Sequence, residues 1–368
     1  MRVDTFSIPE LTERRFQRIL LIKPSSLGDV IHALPVLSGL RRKFPQARID
    51  WLISTSLASL LEGHRDVTDL VLFDRKRLGR LATSPRAAGA FVTFVRTLRE
   101  KQYDLVIDLQ GLFRSGFFAW ASGAPVRLGF AHVREGASLF YTHTGPELDP
   151  DTHAVDRNWQ LAQCVGLEDA PPRFDLQLAE PDRAAARRLL TEHGWNEPNR
   201  MIAVLPGARW ETKLWSPQRF AQVIDGLHRG GLGRCVMLGG ESELDRCRDV
   251  AEACEDPPMD LCGLTPLRTL AAMIDRADVT LCHDSGPMHM AVALDRPLVC
   301  LIGPTNPNRT GPYGRPESVV RLDLDCAPCY LRKMSQCPFD HRCMRDLSAE
   351  AVLHAVREAM HAPRAGIR

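Results

Sequence analysis

The residues best suited to binding a phosphorylated ligand form one short turn, Asp284-Ser285-Gly286, in the second half of the chain. The turn lies between the apolar run Val279–His283 and a helical pattern that begins near Pro287. A hydroxyl, backbone amides and a helix N-terminus together favour an anion, because the helix dipole places partial positive charge there. The turn therefore predicts a diphosphate site.

Two other turns in the second half follow predicted strands and carry charged side chains. Arg209 and Lys213 follow the run Met201–Leu205, and Glu243 follows Cys235–Leu238. A lysine at a strand end can neutralise a diphosphate, or it can be an ordinary surface lysine. A carboxylate at the start of a helix can bind ribose or sugar hydroxyls, or it can simply cap the helix. Both readings stay open for each residue on position alone.

The first half of the chain has one comparable turn, made of Ser25, Ser26, Gly28 and Asp29 after the run Arg18–Lys23. Small residues beneath a helix N-terminus leave amides available for a polar ligand. Asp29 falls in the first helical turn, where it is either a cap or a general base, and position alone favours the cap. The turn is neither a P-loop nor a G-x-G-x-x-G motif, which argues against an ATPase or an NAD-dependent dehydrogenase.

Four cysteines near the C-terminus, Cys326, Cys329, Cys337 and Cys343, are close enough in sequence to raise a structural zinc site, with His341 beside the last of them. The spacing differs from that of zinc ribbons, because the second pair is not C-x2-C. We therefore prefer reduced cysteines that order a loop, and we assign no metal. The three turns of the second half also contain no Asp-x-Asp pair that would hold a divalent cation.

Short apolar runs alternate with helical-period segments in both halves, which is typical of βαβ units with a parallel sheet. We therefore expect an α/β fold with two Rossmann-like, doubly wound domains facing across a cleft, and that cleft is the default active site. The expected boundaries are an N-terminal extension at 1–17, a first domain at 18–167, a linker at 168–180, a second domain at 181–346 and a C-terminal helix at 347–368. Packing of that helix back on the first domain is an option.

Composition bounds the class of protein. At 368 residues, 44% hydrophobic and 25% charged, the chain is ordinary globular material of about two domains. We find no run of about 18 uncharged apolar residues and no signal-peptide pattern at the N-terminus, so we expect a cytoplasmic protein. Eleven cysteines in such a chain are expected to be reduced thiols.

Charge is distributed unevenly along the chain. Residues 1–150 carry 21 Lys and Arg against 15 Asp and Glu, whereas the remainder carries 26 against 30. A basic half suits an anionic partner such as a membrane surface, an acidic glycolipid or nucleic acid, or it is simply a solvated face. Nucleic acid is disfavoured, because only 7% of residues are aromatic and the basic residues are not interleaved with them.

Several segments taken together resemble the lipopolysaccharide heptosyltransferases of glycosyltransferase family 9. They are RILLIKPSSLGDVIHALP (18–35), YDLVIDLQG (103–111), Lys213–Trp215, CHDSGPMHMAVALDRP (282–297) and GPTNPNRTGPYG (303–314). The resemblance runs from residue 18 to the C-terminus, and the cysteine-bearing tail is more similar to heptosyltransferase II than to I. The resemblance implies a GT-B fold and inverting transfer of L-glycero-D-manno-heptose from ADP-heptose to the lipid A-linked inner core. It implies no cofactor and no metal.

The resemblance also implies a role for each candidate residue. Asp29 would be the general base, which reverses the preference for a cap, and Ser25, Ser26 and Gly28 would shape the acceptor side of domain 18–167. Domain 181–346 would bind the donor. There Lys213 would balance the leaving ADP, Arg209 would add positive charge, Glu243 would hold the ribose, and Asp284, Ser285 and Gly286 would face the diphosphate and heptose.

The implied partners are ADP-heptose, the lipid A-linked core oligosaccharide and the anionic surface of the bacterial inner membrane, on its cytoplasmic face, but not nucleic acid. Basic residues that could meet such a surface are Arg41, Arg42, Lys43, Arg75, Lys76, Arg77 and Arg80. The alternative is another GT-B nucleotide-sugar enzyme, either a different glycosyltransferase or a sugar-nucleotide 2-epimerase. A non-enzymatic nucleotide-sugar binder is disfavoured, because a binder has no use for a base such as Asp29.

Overall fold

A computed structural model describes residues 8–74, 84–168, 170, 172–196 and 198–361 of the chain. The chain divides into two compact units, Met1–Gln177 and Leu178–Arg368. Each unit is an α/β layer structure built on one six-stranded, fully parallel sheet. None of the helices in the described ranges is long and apolar enough to cross a membrane.

The sheet of the first unit has the strand order β3-β2-β1-β4-β5-β6. Its strands are β1 Arg18–Ile22, β2 Arg48–Ser54, β3 Asp69–Phe73, β4 Leu105–Asp108, β5 Val126–Gly129 and β6 His143–Thr144. The described helices of this unit are α1 Ile8–Glu13, α2 Leu27–Lys43, α3 Pro85–Glu100, α4 Phe113–Ala121 and α5 Ala154–Gln163.

The second sheet repeats that topology in the order β12-β11-β10-β7-β8-β9. Its strands are β7 Met201–Leu205, β8 Arg234–Met237, β9 Met259–Asp260, β10 Val279–His283, β11 Leu298–Leu301 and β12 Val319–Val320. The described helices are α6 Glu180–Glu192, α7 Pro217–Arg229, α8 Leu244–Ala253, α9 Leu267–Arg276, α10 Gly286–Ala293, α11 Pro307–Thr310, α12 Arg342–Arg345 and α13 Ala349–His361.

The expected α/β class with two Rossmann-like units is confirmed. Counted within each unit, both sheets have the strand order 3-2-1-4-5-6 of the Rossmann fold. The central strands are largely apolar because helices cover both faces of a parallel sheet, and all five residues of β7 are apolar and buried. The direction of strand addition reverses at β1/β4 in the first unit and at β7/β10 in the second. These are the switch points at which ligands of such sheets bind.

Described segments near both ends of the chain contribute buried apolar side chains. In the N-terminal extension, Leu11 and Phe16 are buried, and the Phe16 ring lies 5.6 Å from that of Phe44 in an edge-on contact. At the other end, α13 buries Val352 and Val356 in the core of the second unit. Within this unit the helix packs against β10, β11 and β12, and packing on the first domain stays a prediction.

Candidate functional site

The turns singled out from the sequence lie at or beside the two switch points. Ser25 to Asp29 follow β1, and Arg209 and Lys213 follow β7. Asp284 to Gly286 follow β10, which is the hydrogen-bonded neighbour of β7 across the second switch point. Glu243 follows β8, on the other side of β7. Each unit therefore places its candidate residues at the carboxyl edge of its own sheet.

At the first switch point, a buried lysine joins the two strand ends. Lys23 directly follows β1, and its Nζ donates to the backbone oxygen of Leu109, 2.7 Å away at the end of β4. The same Nζ lies 3.6 Å from Oδ1 of Asp29. Sequence reasoning quoted Lys23 within its motif but gave it no role. The sequence feature that could have revealed a role is its position, because a buried lysine directly after a central strand needs a hydrogen-bond or ionic partner.

The Asp29 carboxylate caps helix α2. Its Oδ2 accepts hydrogen bonds from the backbone N–H and the hydroxyl of Ser26, each 2.8 Å long, and Ser26 is the N-cap residue. The capping role that position alone favours is therefore present. The side chain is still 40% exposed, and the other oxygen, Oδ1, is the one nearest Lys23. The carboxylate is held in place by one oxygen, while the group stays accessible.

A second carboxylate in this unit, Asp108, is fully buried. Its Oδ1 accepts from the amides of Gln110 and Gly111, and its Oδ2 accepts from the Tyr141 hydroxyl at 2.7 Å. Burial raises the pKa of Asp108, and these hydrogen bonds oppose the rise. Asp108 folds the turn that carries the Leu109 carbonyl to Lys23, so its role here is positional. The motif was recognised in the sequence, but this function was not.

At the second switch point, Lys213 and Asp284 form a buried ion pair. Lys213 Nζ donates to Asp284 Oδ2 at 2.7 Å and to its backbone oxygen at 3.0 Å. The side chains are only 14% and 6% exposed, so Lys213 is not an ordinary surface lysine. The hydroxyl of Thr305, which follows β11, donates to the same Oδ2 at 2.6 Å. Asp284 therefore fixes the lysine, and Thr305, which sequence reasoning quoted within its motif without a role, is a further site residue.

The surroundings of this pair add aromatic and dipolar contributions. Lys213 Nζ lies 4.6 Å from the centre of the Trp210 ring, a cation–π distance. Ser285 is the N-cap residue of α10, and Gly286 is the first residue of that helix. Arg209 is exposed on the same turn. A lysine, an arginine and a helix N-terminus thus follow adjacent strands, and each of these groups favours an anion.

His283 connects three backbone segments beneath the site. The Trp215 amide donates to His283 Nε2 at 3.0 Å, so Nε2 is unprotonated and Nδ1 carries the hydrogen, which points to the Gly207 oxygen 3.4 Å away. Burial lowers the pKa of His283 to about 3, which keeps the ring neutral. The histidine holds the turn after β7 to the end of β10 by hydrogen bonds, without charge.

Glu243 lies against the ends of β7 and β8. Its Oε2 accepts from the Gly240 amide at 2.7 Å, which closes its own turn. A Cβ at Gly207 would lie 2.1 Å from Glu243 Oε1, and a Cβ at Gly239 would lie 3.0 Å from Oε2. Glycine at both positions lets the carboxylate approach the backbone beside the switch point. The capping role and a ligand-binding role are compatible in this geometry.

The cysteine-rich segment braces the turn that carries Lys213. His341 Nε2 lies 2.6 Å from the Thr212 backbone oxygen, and the Thr212 hydroxyl donates to the Leu331 oxygen at 2.5 Å. All eleven cysteines of the chain are free thiols, and burial raises the pKa of Cys343 to about 11. In the ranges that the structure describes, the groups of three potential metal ligands are Cys247, Asp260 and Cys262, and His64, Asp66 and Asp175.

Two Rossmann-type units, each with a polar switch point and one of them suited to an anion, match the architecture of GT-B nucleotide-sugar enzymes. A sequence profile described as glycosyltransferase family 9 (heptosyltransferase) matches residues 91–339. The lipopolysaccharide heptosyltransferase 1 of Pseudomonas aeruginosa is 31% identical over 345 residues, which cover 91% of this chain and 93% of that protein. The chain belongs to glycosyltransferase family 9, the heptosyltransferases.

Solved structures agree with this assignment. The glycosyl transferase family 9 protein from Veillonella parvula superposes with a TM-score of 0.81 at 27% identity, covering 95% of this chain and 98% of that one. The E. coli heptosyltransferase WaaC with ADP-2-deoxy-2-fluoro heptose gives a TM-score of 0.71 at 25% identity, covering 93% and 99%. The expected closer likeness to heptosyltransferase II stays a prediction.

Proposed function

We propose that this protein transfers L-glycero-D-manno-heptose from ADP-heptose to the inner core of lipopolysaccharide, with inversion at the anomeric carbon. The observation that carries the proposal is the buried Lys213–Asp284 pair at the switch point of the second unit, beside the N-terminus of α10. Membership of a heptosyltransferase family supports heptose as the transferred sugar.

The second unit binds the donor. Lys213 Nζ and the amides at the start of α10 face the diphosphate, and Arg209 adds a further positive charge. Asp284 holds Lys213 in place. Because Lys213 balances the negative charge of this carboxylate, the repulsion between Asp284 and the diphosphate is reduced. Ser285 and Gly286 form the start of the helix, and Glu243 binds the ribose hydroxyls. Fixed positive groups of this kind stabilise the charge that develops on the leaving ADP, and such groups need no reorganisation during the reaction.

The first unit supplies the base. Asp29 takes the proton from an acceptor hydroxyl, whose oxygen attacks the anomeric carbon while the bond from that carbon to the ADP oxygen breaks. The electron pair of that bond leaves with ADP, and Lys213 balances its charge. Ser25, Ser26 and Gly28 shape the acceptor side, and the hydrogen bonds from Ser26 fix the carboxylate. A positioned base of this type contributes about 10²–10⁴-fold to the rate.

The acceptor in this account is linked to lipid A, so the protein works at the cytoplasmic face of the inner membrane as a peripheral protein. The excess of basic residues in the first 150 positions supports this. One of the arginines proposed for that surface has a different role, because Arg41 donates to the backbone oxygens of Ala47 and Asp66 at 2.7 and 2.9 Å. Residues 75–83, which include four others, lie outside the described ranges.

The experiment that tests the proposal follows ADP release from ADP-heptose with and without a truncated lipid A core. A transferase releases ADP only when the acceptor is present, and it prefers ADP-heptose to other nucleotide sugars. A sugar-nucleotide 2-epimerase alters the donor alone. Conversion of the nucleotide sugar without an acceptor, or a clear preference for a different donor, would contradict the proposed function.

A further inference from the structure

One side of the first unit presents a continuous group of aromatic side chains, here called the aromatic face. Its members are Phe91 on α3, Phe113, Phe117 and Trp120 on α4, and Phe140 with its neighbour Leu139 in the turn that follows β5. Phe113 and Trp120 are 50% and 51% exposed, and Leu139 is 80% exposed. Half of these side chains therefore leave much of their apolar surface in water.

Ring contacts show that the members form one surface. The Phe117 ring lies 5.8 Å from that of Phe91, 5.7 Å from Trp120 and 6.1 Å from Phe140. Phe140 in turn lies 5.1 Å from Phe113. On α4 the aromatic positions 113, 117 and 120 follow the i, i+4, i+7 spacing that places them on one side of a helix. A contiguous exposed apolar patch of this kind marks an interaction site more often than scattered apolar residues do.

The helices that carry the aromatic face are basic. Arg86, Arg96 and Arg99 on α3 and Arg114 on α4 are all exposed, and Glu100 is the one acidic residue of the two helices. Arg96 and Arg99 follow the exposed Val92 at i+4 and i+7, so these two arginines share a side of α3 with an apolar residue. Helices that present both exposed aromatic rings and arginines are suited to an anionic lipid surface, in which the rings sit at headgroup level.

We propose that the aromatic face docks the protein on an anionic phospholipid surface, with the rings of α4 at headgroup level and the arginines of α3 and α4 on the lipid phosphates. The inference rests on the proposed function to the extent that a lipid-linked acceptor explains why a membrane site is useful. Charge favours this occupant, because the two helices that carry the face have four exposed arginines against one glutamate, an excess that an anionic bilayer neutralises and a second copy of the chain would repel.

Vesicle binding tests the proposal. The intact protein is mixed with phosphatidylcholine vesicles that contain or lack phosphatidylglycerol, and the bound fraction is measured by sedimentation. We expect binding to the anionic vesicles only, with a roughly fivefold loss for Arg96→Gln and again for Arg99→Gln, since each basic residue near the surface adds about that factor. Trp120→Gln and Leu139→Gln should also weaken binding severalfold.

A matched variant separates membrane contact from a general loss of apolar surface. Leu264→Gln makes the same change as Leu139→Gln at a residue of the second unit that is 49% exposed, and it should bind vesicles as the unmodified protein does. Brominated lipids should quench the fluorescence of the protein, and Trp120→Phe should remove most of that quenching. All these variants should keep full activity on a soluble, truncated acceptor, because none of them lies at a switch point.

Three outcomes would overturn the proposal: equal binding to both kinds of vesicle, equal losses for Leu264→Gln and Leu139→Gln, or a dimer in light scattering that Trp120→Gln dissociates. The last result would identify the face as an interface between copies of the chain. Failure of the proposed function would look different, as no transfer to a soluble acceptor with vesicle binding retained.

Discussion

Removing the charge of Lys213 while keeping most of its length, as in Lys213→Met, should affect both stability and donor binding, for separable reasons. The variant leaves the Asp284 carboxylate buried without its cation, although Thr305 still donates to it. Breaking a buried ion pair in this way costs about 3–5 kcal/mol of unfolding free energy, and the retained Thr305 hydrogen bond places the expected loss near the lower end. Loss of a charge-assisted contact to the diphosphate costs about 1.5–3 kcal/mol, or roughly 10- to 150-fold in ADP affinity.

The double variant Lys213→Met/Asp284→Asn tells these two effects apart. Because it removes the uncompensated buried charge, denaturant unfolding should show that most of the stability returns. Calorimetry should show that ADP affinity stays as low as in Lys213→Met, since the positive group is still missing. Lys213→Arg, which keeps the charge, is the matched control and should bind ADP more tightly than either. A double variant that binds ADP as well as the unmodified protein would refute the reasoning.

Three further predictions follow from individual residues. Asp29→Asn should keep the fold and ADP affinity, because an amide oxygen can still accept from Ser26, but turnover should fall at least about 100-fold; near-normal turnover would leave Asp29 as a cap alone. The pKa of His283 is about 3 in the folded protein and near 6.5 when unfolded, so the unfolded chain binds more protons between these values and stability falls as pH drops through that window. His283→Gln can keep both hydrogen bonds, and it should reduce the loss of unfolding free energy at acidic pH. If that loss is unchanged in the variant, other titrating groups cause it. Elemental analysis of protein purified without added metal should find substoichiometric zinc, and the activity should survive EDTA. One zinc per chain, lost together with the order of the tail around Cys337, would contradict the preference for reduced cysteines.

The sequence was sufficient to locate the switch-point turns because the central strands have a clear sequence pattern. Strands β1, β7 and β10 are short apolar runs that end at polar turns, and a parallel sheet brings those ends to one edge. The two-residue strands β6, β9 and β12 were not predicted, since an edge strand of that length has no periodicity to detect.

The sequence did not predict which residues contact one another within the site, and the reason for this is different. Lys213 and Asp284 are 71 residues apart, and Lys23 and Leu109 are 86 apart, so only the folded sheet brings them together. Thr305 and His283 have no chemical signal in the sequence, because their function depends on which backbone or carboxylate atoms lie beside them. The resemblance to a family implies that Asp284 faces the diphosphate, which stays a prediction; its partnership with Lys213 and Thr305 was not predicted.

The most direct test of heptose transfer is mass spectrometry of the acceptor after incubation with ADP-heptose. Purified protein should add one heptose to a truncated, lipid A-linked core, and one ADP should appear for each heptose transferred. Asp29→Asn should leave the acceptor almost unmodified while still binding ADP. If no heptose is added to any Kdo-terminated or heptose-containing acceptor under conditions in which the protein binds ADP-heptose, the account is contradicted.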